Sequence, residues 1–186
     1  MFAFTERGAR DYKKHLKFWD VETGRELASL PGEEFGTHIF ADAFSPDGQW
    51  CLAVNWRSND GRLFLLARNA PDEIRTIQLP ETAGIRSFAF SPDGLWLAAM
   101  TQALPERVGA DVTAEELPQP RIHLVHMGTA EVRETLVLPP AIGSGLCFSP
   151  DSRTLASGGQ GQILLWDLST PPGIGEAPTG IERHGP

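Results

Sequence analysis

Phe44-Ser45-Pro46-Asp47-Gly48 returns as Phe90-Ser91-Pro92-Asp93-Gly94 and again as Phe148-Ser149-Pro150-Asp151-Ser152, at intervals of 46 and 58 residues. A period of this size decides a fold, because each repeat is one supersecondary unit that buries its apolar surface only against a neighbour. Two further landmarks keep the same cyclic order. Leu16-Lys17-Phe18-Trp19-Asp20 returns as Ile163-Leu164-Leu165-Trp166-Asp167, with degenerate copies at Leu63 to Ala67 and Ile122 to His126. Leu-Pro closes each unit at Leu30-Pro31, Leu79-Pro80 and Leu138-Pro139.

Within residues 39–79 the pattern is short apolar stretches separated by turn chemistry, which predicts strands joined by hairpins. Ile39 to Phe44 reads as the first strand. Ser45-Pro46-Asp47-Gly48 reverses the chain, with proline fixing φ early in the turn and glycine accepting a positive φ at its end. Trp50 to Trp56 is the second strand and Asn59-Asp60-Gly61 a hairpin signal. Leu63 to Ala67 and Glu73 to Leu79 complete a four-stranded antiparallel meander. The third strand is apolar at every position, whereas a sheet with one wet face would alternate. Both faces therefore need cover, and stacking successive sheets around an axis supplies it. The fourth strands carry Arg25, Glu26, Glu73, Arg75, Glu131, Arg133 and Glu134, charges that discourage edge-to-edge pairing.

These landmarks resemble the WD-repeat β-propeller family, whose repeat ends its third strand with Trp-Asp, over roughly residues 15–170. The match is close at Trp19-Asp20-Val21-Glu22-Thr23-Gly24 and from Phe148 to Asp167, and looser between them. The family's Gly-His ahead of the first strand has no counterpart: Pro31, Pro80 and Pro139 stand near that place, with His38 the only histidine nearby. The fold class expected is all-β, a partial β-propeller of four-stranded antiparallel blades, two complete and two incomplete. The propeller is expected over residues 1–170, with blade parts at about 1–31, 38–80, 85–139 and 143–170. A disordered Gly/Pro-rich tail is expected at 171–186, after Pro171-Pro172-Gly173 halts regular structure. This reading yields 13 or 14 strands, short of the roughly 16 of the smallest usual closed propeller. An open arc leaves two apolar blade faces bare, so missing blades or a second copy should cover them.

Composition agrees and narrows the function classes. Of the 186 residues, 34 are Gly or Pro, about 18% against a usual ~12%, which excludes long-helix bundles. Apolar runs stop at about six residues, far short of the ~20 of a membrane-spanning helix. A net charge of −8 disfavours nucleic acid and anionic membranes as partners. Met1 to Arg7 lack the apolar stretch of a secretory signal, and Cys51 and Cys147, far apart inside apolar runs, read as reduced core thiols, so the expected compartment is cytoplasmic.

No catalytic constellation emerges. His123 and His126 lie three apart on a strand and point to opposite faces, so they do not share a metal. Gly143-Ser144-Gly145 precedes a strand and lacks the full nucleophile elbow. Gly158-Gly159-Gln160-Gly161 lacks the lysine and hydroxyl of a phosphate loop. No cofactor, metal or enzymatic activity is expected. The resemblance implies a protein–protein interaction scaffold, whose rim would be formed by the inter-blade loops and the hairpins between second and third strands. Candidate contacts there are Glu33, Glu34, Phe35, Arg57, Asn59 and Asp60, with Asp111, Glu115 and Glu116 of the acidic insertion at 102–120, where Thr113-Ala114-Glu115-Glu116 reads as a capping box. The alternative is a sensor or substrate-gating domain of a hydrolase or protein kinase whose catalytic part is not in this chain.

Overall fold

A computed structural model describes residues 2–7, 14–31, 39–55, 59–80, 83–102, 119–139, 145–159, 162–169 and 179–181. They form two compact units, Met1–Glu81 and Thr82–Pro186, and every element in them is a strand.

In the first unit β1 (Phe2–Arg7), β2 (Lys14–Trp19) and β3 (Glu26–Pro31) make a three-stranded sheet, and β4 (Ile39–Phe44), β5 (Trp50–Asn55), β6 (Arg62–Ala67) and β7 (Ala70–Gln78) a four-stranded one. In the second unit β8 (Gly84–Phe90), β9 (Trp96–Gln102), β10 (Arg121–His126) and β11 (Glu131–Val137) form one sheet. β12 (Gly145–Phe148), β13 (Thr154–Gly159), β14 (Gln162–Asp167) and β15 (Thr179–Ile181) form another. All pairings join sequential strands antiparallel, so each sheet is a meander, and the four are blades one to four.

One expectation changes. Blade four is complete, because Thr179–Ile181, inside the stretch read as a tail, pairs with Ile163, Leu164 and Leu165. Among the described residues three blades thus have four strands and one has three. The physical reason is that β14 carries backbone donors and acceptors on its outer edge that need partners, and Thr-Gly-Ile is extended enough to supply them. The Gly and Pro around it obscured so short a strand.

The repeated turns agree atom by atom. In each, the serine hydroxyl donates to the aspartate two residues on and accepts the N–H five residues on: Ser45 Oγ lies 2.5 Å from Asp47 Oδ1 and 2.9 Å from Trp50 N. The same distances are 2.6 and 2.9 Å at Ser91 and 2.6 and 2.9 Å at Ser149. The aspartate also accepts the N–H of Gln49, Leu95 or Arg153. The preceding phenylalanines hold one register, Phe44 opposite Cys51, Phe90 opposite Leu97 and Phe148 opposite Leu155. The fourth turn residue has φ of +66° at Gly48 and +72° at Gly94, where glycine meets no steric penalty, but +61° at Ser152, where a side chain does. Ser152 Oγ has a use: it accepts the N–H of Asp93 at 3.1 Å, joining the turns of blades three and four.

The cores of blades one to three close on the leucine of the Leu-Pro landmark, since Leu30, Leu79 and Leu138 are buried. Blade one packs on blade two through Leu16, Phe18 and Leu30 against Cys51, Ala53, Phe64 and Leu66. Blade three packs on blade four through Ala98, Met100, Ile122, Leu124, Leu136 and Leu138 against Phe148, Leu155, Leu164 and Trp166. Trp166 Nε1 donates to Ser157 Oγ at 3.0 Å, so the one polar atom of that ring is satisfied inside the apolar layer.

Candidate protein-docking face

The third strands β2, β6, β10 and β14 align residue for residue, so burial can be compared position by position. The first apolar position is Leu16, Leu63, Ile122 and Ile163. The first three are 0% exposed and Ile163 is 59% exposed. Two residues on, Phe18, Leu65 and Leu124 are buried while Leu165 is only half-buried. In a strand, alternate residues share a face, so Ile163 and Leu165 stand on one side of blade four with Ala156 and Gly158 opposite them on β13 and Cys147 on β12. Cys147 is exposed and its thiol free. The other side of the same blade, with Leu164 and Trp166, is the one packed on blade three.

At the alternate positions the difference between blades is smaller. The alternate positions of the third strands read Lys17 and Trp19, Phe64 and Leu66, His123 and Val125, Leu164 and Trp166. All are buried except Lys17 and Trp19, which are half-buried. Beside them on β3 lies Leu27, 45% exposed, on the opposite side from Ala28 and Leu30, which pack toward blade two. Lys17 Nζ lies 3.3 Å from a Glu26 carboxylate. Blade four therefore shows an apolar face outward. Burying one isoleucine side chain stabilises by roughly 1.5–3 kcal/mol, so the blade-four face has a substantial incentive to be covered.

Of the rim residues expected from sequence, Glu33, Glu34, Phe35, Arg57, Asp111, Glu115 and Glu116 lie outside the described residues. Asn59 is exposed. Asp60 holds its own hairpin: Oδ1 accepts Arg62 N at 3.1 Å, Oδ2 lies 2.6 Å from Arg62 Nε and 2.5 Å from Nη2, and its carbonyl accepts Gln78 Nε2. Strand counting from the sequence expects bare blade faces but does not single out Ile163 and Leu165. The signal available was the third-strand landmark itself, whose apolar positions repeat in all four blades and thereby permit the comparison.

The histidines do face apart. His123 is fully buried, its Nε2 3.0 Å from Thr101 Oγ1 and its Nδ1 3.0 Å from Thr135 Oγ1, bridging three strands. His126 packs edge-on against Trp96 with centroids 5.2 Å apart. A ring closed from solvent between two hydroxyls is a cross-strand tie rather than a reacting base. Among the described residues no three His, Cys, Asp or Glu side chains gather where a metal ion could sit.

The carboxylates of the turns are tuned by their hydrogen bonds. The hydroxyl of Ser45 and the N–H of Gln49 hold Asp47 below the usual carboxylate pKa, as Ser149 and the N–H of Arg153 do for Asp151. Thr23 does the same for Asp20 at the turn after β2, and Ser169 for Asp167 after β14. These groups are caps that shape turns, each accepting its local donors at Oδ1.

Residues 141–167 match the family described as WD domain, G-beta repeat. Among solved structures the chain is similar to one described as the structure of the Dos1 propeller, with a TM-score of 0.62 at 16% identity, covering 99% of this chain and 45% of that one. It thus spans less than half the length of that propeller. In all, 685 chains of solved structures match significantly, and so widely shared a fold fixes architecture rather than activity. No curated protein matches the sequence significantly.

Proposed function

We propose that this chain, a WD-repeat protein built of β-propeller blades, is a non-catalytic protein–protein interaction scaffold that engages its partner through the uncovered face of blade four. The observation that carries this reading is Ile163, 59% exposed at a position 0% exposed in the three other blades. An apolar face at a position the fold otherwise buries is the kind of patch that marks an interaction site. The net charge of −8 supports a protein as the partner over a phosphate backbone or an anionic membrane. Cys51 and Cys147, neither of them in a disulfide, support a reducing, cytoplasmic setting.

The test compares proteins captured from a lysate by the wild-type chain and by Ile163→Lys. The substitution is at an exposed site, so the melting temperature should hold while specific partners disappear. Recovery of the same set by both chains would remove blade four's face from the proposal.

A further inference from the structure

We infer that the turn end of blades three and four is a second docking surface, and that its occupant is a basic, apolar segment of a partner protein. It stands apart from blade four's outward face, because it uses other residues of the same unit.

Backbone bonds bring these residues to one end. In blade three the Met127 N–H donates to the Leu95 carbonyl, and in blade four the Leu168 N–H donates to that of Arg153. In each blade the turn before the second strand thus lies beside the end of the third. The Ser152 hydroxyl accepts the N–H of Asp93 at 3.1 Å and joins the two blades there. Asp167, which ends β14, pairs with Thr154 at the start of β13 and falls at the same end.

The apolar part starts at Leu95. Asp93 caps its N–H as Asp47 caps that of Gln49 and Asp151 that of Arg153, so the three side chains hold one place in the repeat. Gln49 and Arg153 show that the turn accepts polar side chains there, yet blade three has a leucine, 52% exposed. Pro92 and Pro150 are exposed at the same end. Trp96 and Leu168 are half-buried there and pack on the core between the two blades. Apolar exposure that the turn does not require, carried on a rigid pair of blades, is the property of a contact surface.

Charge selects the occupant. Asp93, Asp151 and Asp167 are exposed at this end, and the cation of these turns is Arg153 alone among the described residues. Glu131, where β11 begins, already has Arg133 at 3.0 Å. Each of the three aspartates gives Oδ1 to its own turn, and no described residue donates to its Oδ2. The three do not gather where a metal ion could sit, so they suit a segment carrying several cations rather than one ion. The chain's net charge of −8 adds long-range attraction for a basic partner.

The experiment is fluorescence anisotropy on the 186-residue chain with a labelled peptide of alternating lysine and leucine. The expected result is binding that weakens as salt is raised. Peptides of alternating glutamate and leucine, and of alternating lysine and serine, should each bind about tenfold more weakly. Leu95→Ser, at an exposed site, should cost about tenfold in affinity. Asp93→Asn and Asp151→Asn keep an acceptor for the turn and remove a charge, so each should cost on the order of threefold at low salt and little at high salt. Melting curves accompany each variant, so that a loss of affinity is read on folded protein. Ile163→Ser should leave the affinity unchanged. Failure of the wild-type chain to bind, equal binding of the glutamate–leucine peptide, or wild-type affinity in both Leu95→Ser and Asp93→Asn would each overturn the inference. If Ile163→Ser alone loses the peptide, the peptide sits on blade four's outward face: the docking reading stands and the second surface falls.

Discussion

Ser152→Ala and Ser152→Gly together separate two opposed effects at one residue. Ser152 sits at φ +61°, where an L side chain costs roughly 1–2 kcal/mol. Its hydroxyl accepts the N–H of Asp93 across the blade boundary at 3.1 Å, a bond worth about 0.5–1.5 kcal/mol. Alanine keeps the strained backbone and loses the bond, so it should destabilise by that same 0.5–1.5 kcal/mol. For a chain of this size the melting temperature should fall by about 2–4 °C per kcal/mol. Glycine also loses the bond but relieves the backbone, and gives back about 0.4–1 kcal/mol through the freedom it adds to the unfolded chain. It should therefore lie close to wild type and above alanine. Thermal and urea unfolding followed by tryptophan fluorescence gives the order wild type and glycine above alanine. An alanine variant as stable as wild type would show that the bond contributes nothing, and a glycine variant below alanine would show that the positive φ carries no strain.

The turn after β10 offers a simpler gain: Ala130 stands at φ +56° where Gly24 occupies the matching turn after β2 at +66°, so Ala130→Gly should raise stability by about 0.5–1 kcal/mol, read as an upward melting shift. His123→Ala opens a cavity and removes the partner of two threonine hydroxyls, so it should cost about 3 kcal/mol. Thr135→Val removes a single bond and should cost about 0.5–1.5 kcal/mol by the same denaturation assay. Asp47 and Asp151 have carboxyls held below their unfolded value of about 4. Their contribution is present above that pH and lost as the pH falls through the lower folded value. The melting temperature should be level from pH 7 to 5 and drop below 4, and an Asp47→Asn, Asp151→Asn double variant should show a shallower drop.

What the amino acids reveal here depends on how far each interaction reaches along the chain. The Ser-Pro-Asp turns were legible because serine, aspartate and the accepting backbone all lie within five residues, so their hydrogen bonds are written in adjacent letters. β4, Ile39–Phe44, follows the bounds its apolar run suggests for the same reason. β15 was not legible, since three residues make no period and its pairing depends on the edge of β14 lying within reach. The tie from Thr101 through His123 to Thr135 links strands whose residues are 22 and 12 apart in sequence, and nothing in the spacing of His123 and His126 announces it.

Exposure of the docking face is the furthest from the letters. Ile122 and Ile163 are the same residue at the same place in the repeat, and one is sealed while the other faces out. The difference belongs to the neighbour rather than to the isoleucine. Repeat sequences are read as self-covering because each unit carries both kinds of face, and that is true of every unit with another beside it. Strand counting gives the expectation of bare faces, but only the burial of matched positions says that Ile163 and Leu165 form one. A single charge at Ile163 is therefore a sharper probe than a deletion of the acidic insertion: it leaves the strand, its register and the blade-three contact intact and alters only what blade four presents outward.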